Sequence, residues 1–150
     1  MRLFGEIQEK GTVLVVDDSN TTRRVLNVVC EGQGYRVVEA ATGAEAIDVW
    51  QRIPCDLILL DVDLPDFDGY TVCRQVKETE SGQRIPIIFV SNQLSEEDKL
   101  RAFDAGGCDY VTKPFSHVEL LARIRAHMAL RHEFKMRLKA QKELSDSREA

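Results

Sequence analysis

Asp17-Asp18, Asp61, Ser91 and Lys113 lie far apart in the sequence, yet each stands directly after a short apolar run. If a fold gathered them, three carboxylates, a hydroxyl and an amine would face one another. Two unit charges about 4 Å apart repel by about 4 kcal/mol at an effective dielectric of 20, so such a cluster must take up protons or a cation. All three acids are oxygen donors, and no His or Cys adjoins them in the sequence. That set suits a hard divalent ion, Mg²⁺ first and Mn²⁺ second. A carboxylate attacking phosphorus is opposed by the charge on the phosphoryl oxygens. A metal ion and a lysine ammonium remove that obstacle, and a serine hydroxyl can donate to a phosphoryl oxygen. The acyl phosphate so formed is labile, which suits a timed signal.

The elements that would position these groups are legible as apolar runs alternating with helical patterns, the mark of a parallel sheet with crossover helices. Thr12–Val16 reads as a first strand and ends at Asp17. A helix follows from about Asn20 to Glu31, with Val25, Leu26, Val28, Val29 and Cys30 as its apolar side, and Gly32-Gln33-Gly34 stops it. Arg36–Ala40 reads as the second strand. Thr42-Gly43-Ala44-Glu45 is a capping box for a helix that Pro54 ends. Leu57–Leu60 is apolar at every position, which predicts a strand buried on both faces, and it ends at Asp61. A helix is expected near Tyr70–Lys77, and a fourth strand over Pro86–Val90, closing at Ser91. Ser95-Glu96-Glu97-Asp98 opens a helix that Gly106-Gly107 ends. Tyr110–Thr112 is the last strand, followed by Lys113-Pro114, and Ser116 caps the final helix. Five such units make a doubly wound α/β sheet. In that architecture ligands bind at the carboxyl ends of the strands, where the residues named above all stand.

With these landmarks in order, residues 11–128 resemble the response-regulator receiver domains of two-component signalling, the family of the chemotaxis regulators. The stretch Asp61-Val62-Asp63-Leu64-Pro65-Asp66-Phe67-Asp68-Gly69 carries Pro and Gly at the family's spacing, and Ala105–Phe115 resembles its C-terminal signature. The resemblance implies a flavodoxin-like five-stranded parallel sheet of order 2-1-3-4-5 with helices on both faces. It implies Asp61 as phosphoacceptor. Asp18, Asp61 and the backbone carbonyl of Asp63 would bind Mg²⁺, with Asp17 acting mainly through water. Lys113 would pair with the phosphoryl group, Ser91 would move toward it, and Tyr110 would turn inward. That coupled shift would remodel the face built from the fourth helix, fifth strand and fifth helix. The Lys113-Pro114 bond is often cis in this family. Asn92 replaces a commoner small residue beside Ser91, and Asp63 and Gln93 occupy positions that tune dephosphorylation in relatives. The implied donor is a sensor histidine kinase or a histidine phosphotransfer protein. The only catalysis implied is the domain's own phosphotransfer and autodephosphorylation.

Two motifs invite other readings. Asp61-Val62-Asp63 after an apolar run also resembles the nucleophile motif of haloacid-dehalogenase phosphatases, but Pro65 and the earlier Asp pair run against that motif and its order. The acids from Asp61 to Asp68 do not keep EF-hand spacing, so Asp66 and Asp68 read as turn and helix-start residues. His132-Glu133-Phe134-Lys135 is similar to a kinase phosphodonor box but lacks its proline. His117, His127 and His132 are expected as exposed polar residues of the last helix.

The net charge of −5 hides an asymmetry. Residues 11–115 carry 18 acids against 10 bases, whereas residues 116–150 carry 5 against 8. The basic tail is read as a solvated helix face, with no nucleic-acid contact expected. The four cysteines, Cys30, Cys55, Cys73 and Cys108, form no C-x-x-C pair and are expected as buried or half-buried thiols of a cytoplasmic chain. No apolar run is long enough to insert in a membrane, and the N-terminus lacks a signal-peptide core. Residues 1–10 read as a tail. Residues 129–150 read as a helical extension or a linker to an output module in cis. In it Leu130, Phe134, Leu138, Gln141 and Leu144 form a loose apolar stripe. A homodimer is expected through that helix or through the fourth-helix face. A single-domain receiver acting by partner binding or phosphorelay is the alternative.

Overall fold

The computed structural model describes residues 10–149; the tail expected over residues 1–10 lies, but for Lys10, outside them. The order of elements is β1 (Thr12–Val16), α1 (Asn20–Glu31), β2 (Arg36–Ala40), α2 (Gly43–Arg52), β3 (Leu57–Leu60), α3 (Gly69–Glu78), β4 (Ile87–Ser91), α4 (Glu96–Asp104), β5 (Asp109–Thr112) and α5 (His117–Glu149). All neighbouring strands run parallel, in the order β2-β1-β3-β4-β5. The sheet is therefore the doubly wound one expected. Pro86 stays just outside β4, where its carbonyl still accepts from Ile58.

Because side chains alternate along a strand, each strand feeds two cores. Val13 and Val15 of β1 and Leu57 and Leu59 of β3 pack under α1 and α5, against Leu26, Cys30, Leu120 and Ile124. Leu14, Val16, Ile58 and Leu60 face α2, α3 and α4, against Ala46, Val49, Val72, Val76 and Ala102. This two-sided burial is why β3 has no polar position until Asp61. In α1 the apolar side is narrower than its composition suggests: Leu26 and Cys30 are buried, but Val28 is exposed.

Helix starts are fixed by side-chain caps that satisfy otherwise orphaned amides. Thr42 accepts from the Glu45 amide, Asp68 from Thr71 and Ser95 from Asp98. Gly69 sits where the chain turns back onto the loop after β3. A Cβ there would lie 2.2 Å from the carbonyl oxygen of Asp61, so only glycine fits. Gly106 ends α4 at φ 112°, a conformation that side chains avoid. The Lys113–Pro114 peptide is cis.

The last helix runs unbroken past Met128 to Glu149. Its first extra turns are fastened to the base of the domain. Asp56 accepts from the Thr12 amide and from Lys135 at 2.9 Å, with Arg131 at 3.6 Å, and the Arg84 guanidinium covers the Phe134 ring. Leu130, Leu138 and Leu144 remain exposed. Two expectations are corrected here. Cys108 is exposed rather than buried, because it precedes β5 and lies outside both core clusters. His127 is half-buried rather than exposed, 3.1 Å from Asp109, because α5 packs that turn against β5.

The Asp56 clasp makes a pH prediction. Burial works against its charge, but the Thr12 amide, Lys135 and Arg131 outweigh this and hold its carboxyl below the ordinary value. A depressed carboxylate contributes stability above its unfolded pKa of about 4, and that contribution is lost as pH falls through the lower folded value. Asp56→Asn should therefore lower stability by about 1 kcal/mol at pH 7. The gap from the parent should close as pH drops below about 4, read as urea midpoints across the range.

Candidate phosphoacceptor site

Asp17, Asp61 and Lys113 inherit their places from the sheet, because the backbone of each continues the ladder one step past its strand, and Ser91 is the last residue of β4. The Asp61 amide donates to Val16 O at 2.9 Å, that of Asp17 to Ala40 O at 3.1 Å, and that of Lys113 to Ser91 O at 2.8 Å. β1 and β3 thus present their terminal acids side by side, and β4 and β5 present Ser91 and Lys113.

The carboxylates of Asp17, Asp18 and Asp61 converge, with one oxygen from each lying within 4.8 Å of the others. Asp17 and Asp61 are buried and Asp18 is exposed. Lys113 bridges the two buried acids, its Nζ 2.7 Å from Asp17 Oδ2 and 3.0 Å from Asp61 Oδ2. Ser19 donates its amide to Asp17 Oδ1 at 2.9 Å, and Asp63 donates its amide to Asp61 Oδ1 at 3.2 Å. Asp17 is thereby held on both oxygens, whereas Asp18 projects freely toward solvent.

Burial pushes the Asp61 carboxyl up to about 6; Lys113 opposes the rise and Asp17 adds to it. For Lys113, burial is outweighed by its hydrogen bonds to Asp17 and Asp61, and its pKa lies above the ordinary lysine value. One ammonium among three carboxylates leaves an excess of negative charge in a partly buried pocket. That excess, with oxygen the only donor type, fits a hard divalent cation such as Mg²⁺.

The remaining predicted residues form the rim. Ser91 is fully buried and its Oγ accepts from the Gln93 amide at 3.3 Å. Gln93 Nε2 donates to Asp63 Oδ1 at 3.0 Å, linking the two positions singled out for tuning. Asn92 is exposed. Tyr110 already lies inward: its ring stacks on Phe89 and its hydroxyl donates to Gln93 O at 2.8 Å. Leu100 and Phe103 of α4, and Leu94 in the loop before it, are exposed.

Two contributors escaped the sequence reading. Asp66, read as a turn residue, accepts from the amides of Gly43 and Ala44 at 2.8 Å and ties the loop after β3 to the start of α2. Nothing in a lone loop aspartate signals a partner 23 residues away. Arg23 grips Asp17 O at 2.5 Å, Asn20 Oδ1 and Glu39 Oε1. It did leave a signal, since an arginine near a helix N-terminus runs against the helix dipole unless another partner holds it.

Residues 13–125 match the response regulator receiver domain family. Among curated relatives, the transcriptional regulatory protein YvrH of Bacillus subtilis is 38% identical over 128 residues, covering 85% of this chain and 53% of the relative. The transcriptional regulatory protein YxdJ of the same organism is 39% identical over 116 residues, covering 77% and 49%. Among solved structures, a CheY-like response regulator receiver domain protein from Methanospirillum hungatei superposes with TM-score 0.76 at 25% identity, covering 81% of this chain and 96% of that one. The chemotaxis protein CheY4 of Vibrio cholerae gives 0.73 at 30%, covering 77% and 96%. The chain spans about half the length of the curated relatives it matches.

Proposed function

The chain belongs to the family of response regulator receiver domains of two-component systems, and from that premise we propose that Asp61 is its phosphoacceptor. The observation that carries this reading is the buried Asp61 carboxylate, 3.0 Å from the Lys113 ammonium and beside two further acids from another loop. A carboxylate oxygen of Asp61 attacks phosphorus and the donor's P–N bond breaks. The bonding pair stays on the donor imidazole, which takes a proton from solvent. Lys113 then pairs with the phosphoryl oxygens, and the Ser91 hydroxyl turns from the Gln93 amide to donate to one of them. Asp18 and Asp61 would hold Mg²⁺ with the Asp63 carbonyl, and Asp17 would support it through water; Mn²⁺ would serve in its place. When bound, the cation supplies neutralising charge against the phosphoryl oxygens.

On this reading the donor is a sensor histidine kinase or a histidine phosphotransfer protein. Tyr110, hydrogen-bonded to Gln93 and stacked on Phe89, conveys the state of Ser91 to the face built from α4, β5 and α5. Dimerisation through that face or through α5 would carry the signal to an output module following residue 128. The two curated relatives named, YvrH and YxdJ, are transcriptional regulatory proteins about twice as long as the stretch matched, which supports such a module. No helix among the described residues is long and apolar enough to cross a membrane, and a cytoplasmic location is part of the proposal.

Incubation with a phosphorylated histidine kinase tests the reading. Label should transfer to the chain with Mg²⁺ and fall to background in excess EDTA. Metal-independent labelling would overturn it, and so would sustained hydrolysis of a phosphomonoester, which belongs to the haloacid-dehalogenase alternative.

A further inference from the structure

We infer that Arg23 is a positioning residue for the acidic pair, acting on the Asp17–Asp18 backbone and touching neither the cation nor the phosphoryl group; this rests on the function proposed above. Three carboxylates brought within 4.8 Å push their loops apart. Lys113 offsets that force for Asp17 and Asp61, the two acids it bridges. Asp18 is exposed and forms none of those bonds, so its position depends on the backbone that carries it.

Arg23 is placed to hold that backbone. Its side chain is 14% exposed, and the guanidinium donates through Nη1 to Asp17 O at 2.5 Å, through Nη2 to Asn20 Oδ1 and through Nε to Glu39 Oε1 at 3.2 Å. Three elements, the end of β1, the first turn of α1 and the C-terminal part of β2, are thus joined by one planar fork. A lysine could neutralise Glu39 but could not span the three acceptors, because a single ammonium lacks the fixed fork of donors. The remaining anchors of Asp17 are its amide on Ala40 O and its carboxylate on Ser19 and Lys113, and none of them reaches its carbonyl.

Positioning and simple electrostatics predict opposite signs. If Arg23 acted only as a nearby positive charge, removing it would tighten cation binding. If it fixes the loop, removing the fork weakens binding whether or not the charge stays. Mg²⁺ titration calorimetry on the wild type, Arg23→Lys and Arg23→Met is the test. Both variants should bind Mg²⁺ about tenfold more weakly, in the range found when groups that orient metal ligands are lost. Half-maximal phosphotransfer should need about tenfold more Mg²⁺ in both variants, in step with the weaker binding.

Amide hydrogen exchange in metal-free protein gives an independent readout: the amides of Asp18 and Ser19 should exchange faster in both variants, with those of β3 unchanged. Unchanged or tighter Mg²⁺ binding in Arg23→Met overturns the inference, as does unaltered exchange at Asp18 and Ser19. Failure of the wild type to bind Mg²⁺ would overturn the proposed function instead, while the exchange result would still decide whether Arg23 braces the loop.

Discussion

Asp61→Asn should accept no label from a phosphorylated histidine kinase, a loss of about 100-fold or more, because an amide is no nucleophile toward phosphorus. The same substitution should stabilise the metal-free protein. Burial has raised the Asp61 carboxyl to about 6, so at neutral pH the fold carries an ionised group in a place that prefers the neutral one. Each pKa unit corresponds to about 1.4 kcal/mol, and the raised value already contains the Lys113 ion pair; the weaker hydrogen bonds that a neutral amide oxygen accepts take back part of the gain, and a net gain of about 1–2 kcal/mol is expected. The sign follows from linkage. A folded-state pKa above the unfolded one gives stability that is complete below the unfolded value of about 4 and lost as pH rises through about 6. The stability gap between variant and wild type should therefore open between about pH 4 and pH 6 and narrow when Mg²⁺ is added. Denaturant titrations at several pH values, with and without Mg²⁺, read both effects. A variant that labels as well as wild type removes Asp61 from its role, and a variant less stable in the metal-free state refutes the electrostatic account.

Lys113→Met should act in the opposite direction on stability. The ammonium bridges two carboxylates that are 1% and 6% exposed, and its loss leaves them facing each other with only the Ser19 and Asp63 amides and no opposite charge. Breaking a buried pair costs about 3–5 kcal/mol; protonation of one acid limits the loss here, and about 2 kcal/mol is expected at neutral pH without metal. Mg²⁺ should restore most of it and bind more tightly than in wild type, since no amine competes for Asp17 Oδ2 and Asp61 Oδ2. Labelling should nevertheless fall by about tenfold or more at saturating Mg²⁺, because the cation that meets the incoming phosphoryl charge is gone. Calorimetry and labelling on one preparation separate these outcomes. Weaker Mg²⁺ binding in Lys113→Met would show that the lysine organises the acids rather than competing for them.

The strands, and the sheet edge on which Asp17, Asp61, Ser91 and Lys113 stand, were legible because their causes are local. A strand buried on both faces has to be apolar throughout, so Leu57–Leu60 and the abrupt change to Asp61 announce both the strand and its functional end. Thr42 and Ser95 announce helix starts because a cap is satisfied within three residues. The convergence of Asp17, Asp61, Ser91 and Lys113 followed from topology, since parallel strands place all their carboxyl ends on one edge.

Other features depend on pairings that no local pattern encodes. The fates of Cys108 and His127 were misjudged because burial there is set by where α5 crosses β5, a property of packing between distant segments. Asp66 on the α2 amides and Asp56 on Lys135 and Arg131 are likewise long-range choices. By itself the sequence determined which residues could do chemistry and at which edge of the sheet they stand, because hydrophobic periodicity and caps act over a few residues. Only the tertiary structure decided that Lys113 bridges Asp17 and Asp61, that Arg23 grips the Asp17 carbonyl, and that Tyr110 lies inward. Those outcomes are set by side-chain geometry across the sheet, where a shift of an ångström makes or breaks a hydrogen bond.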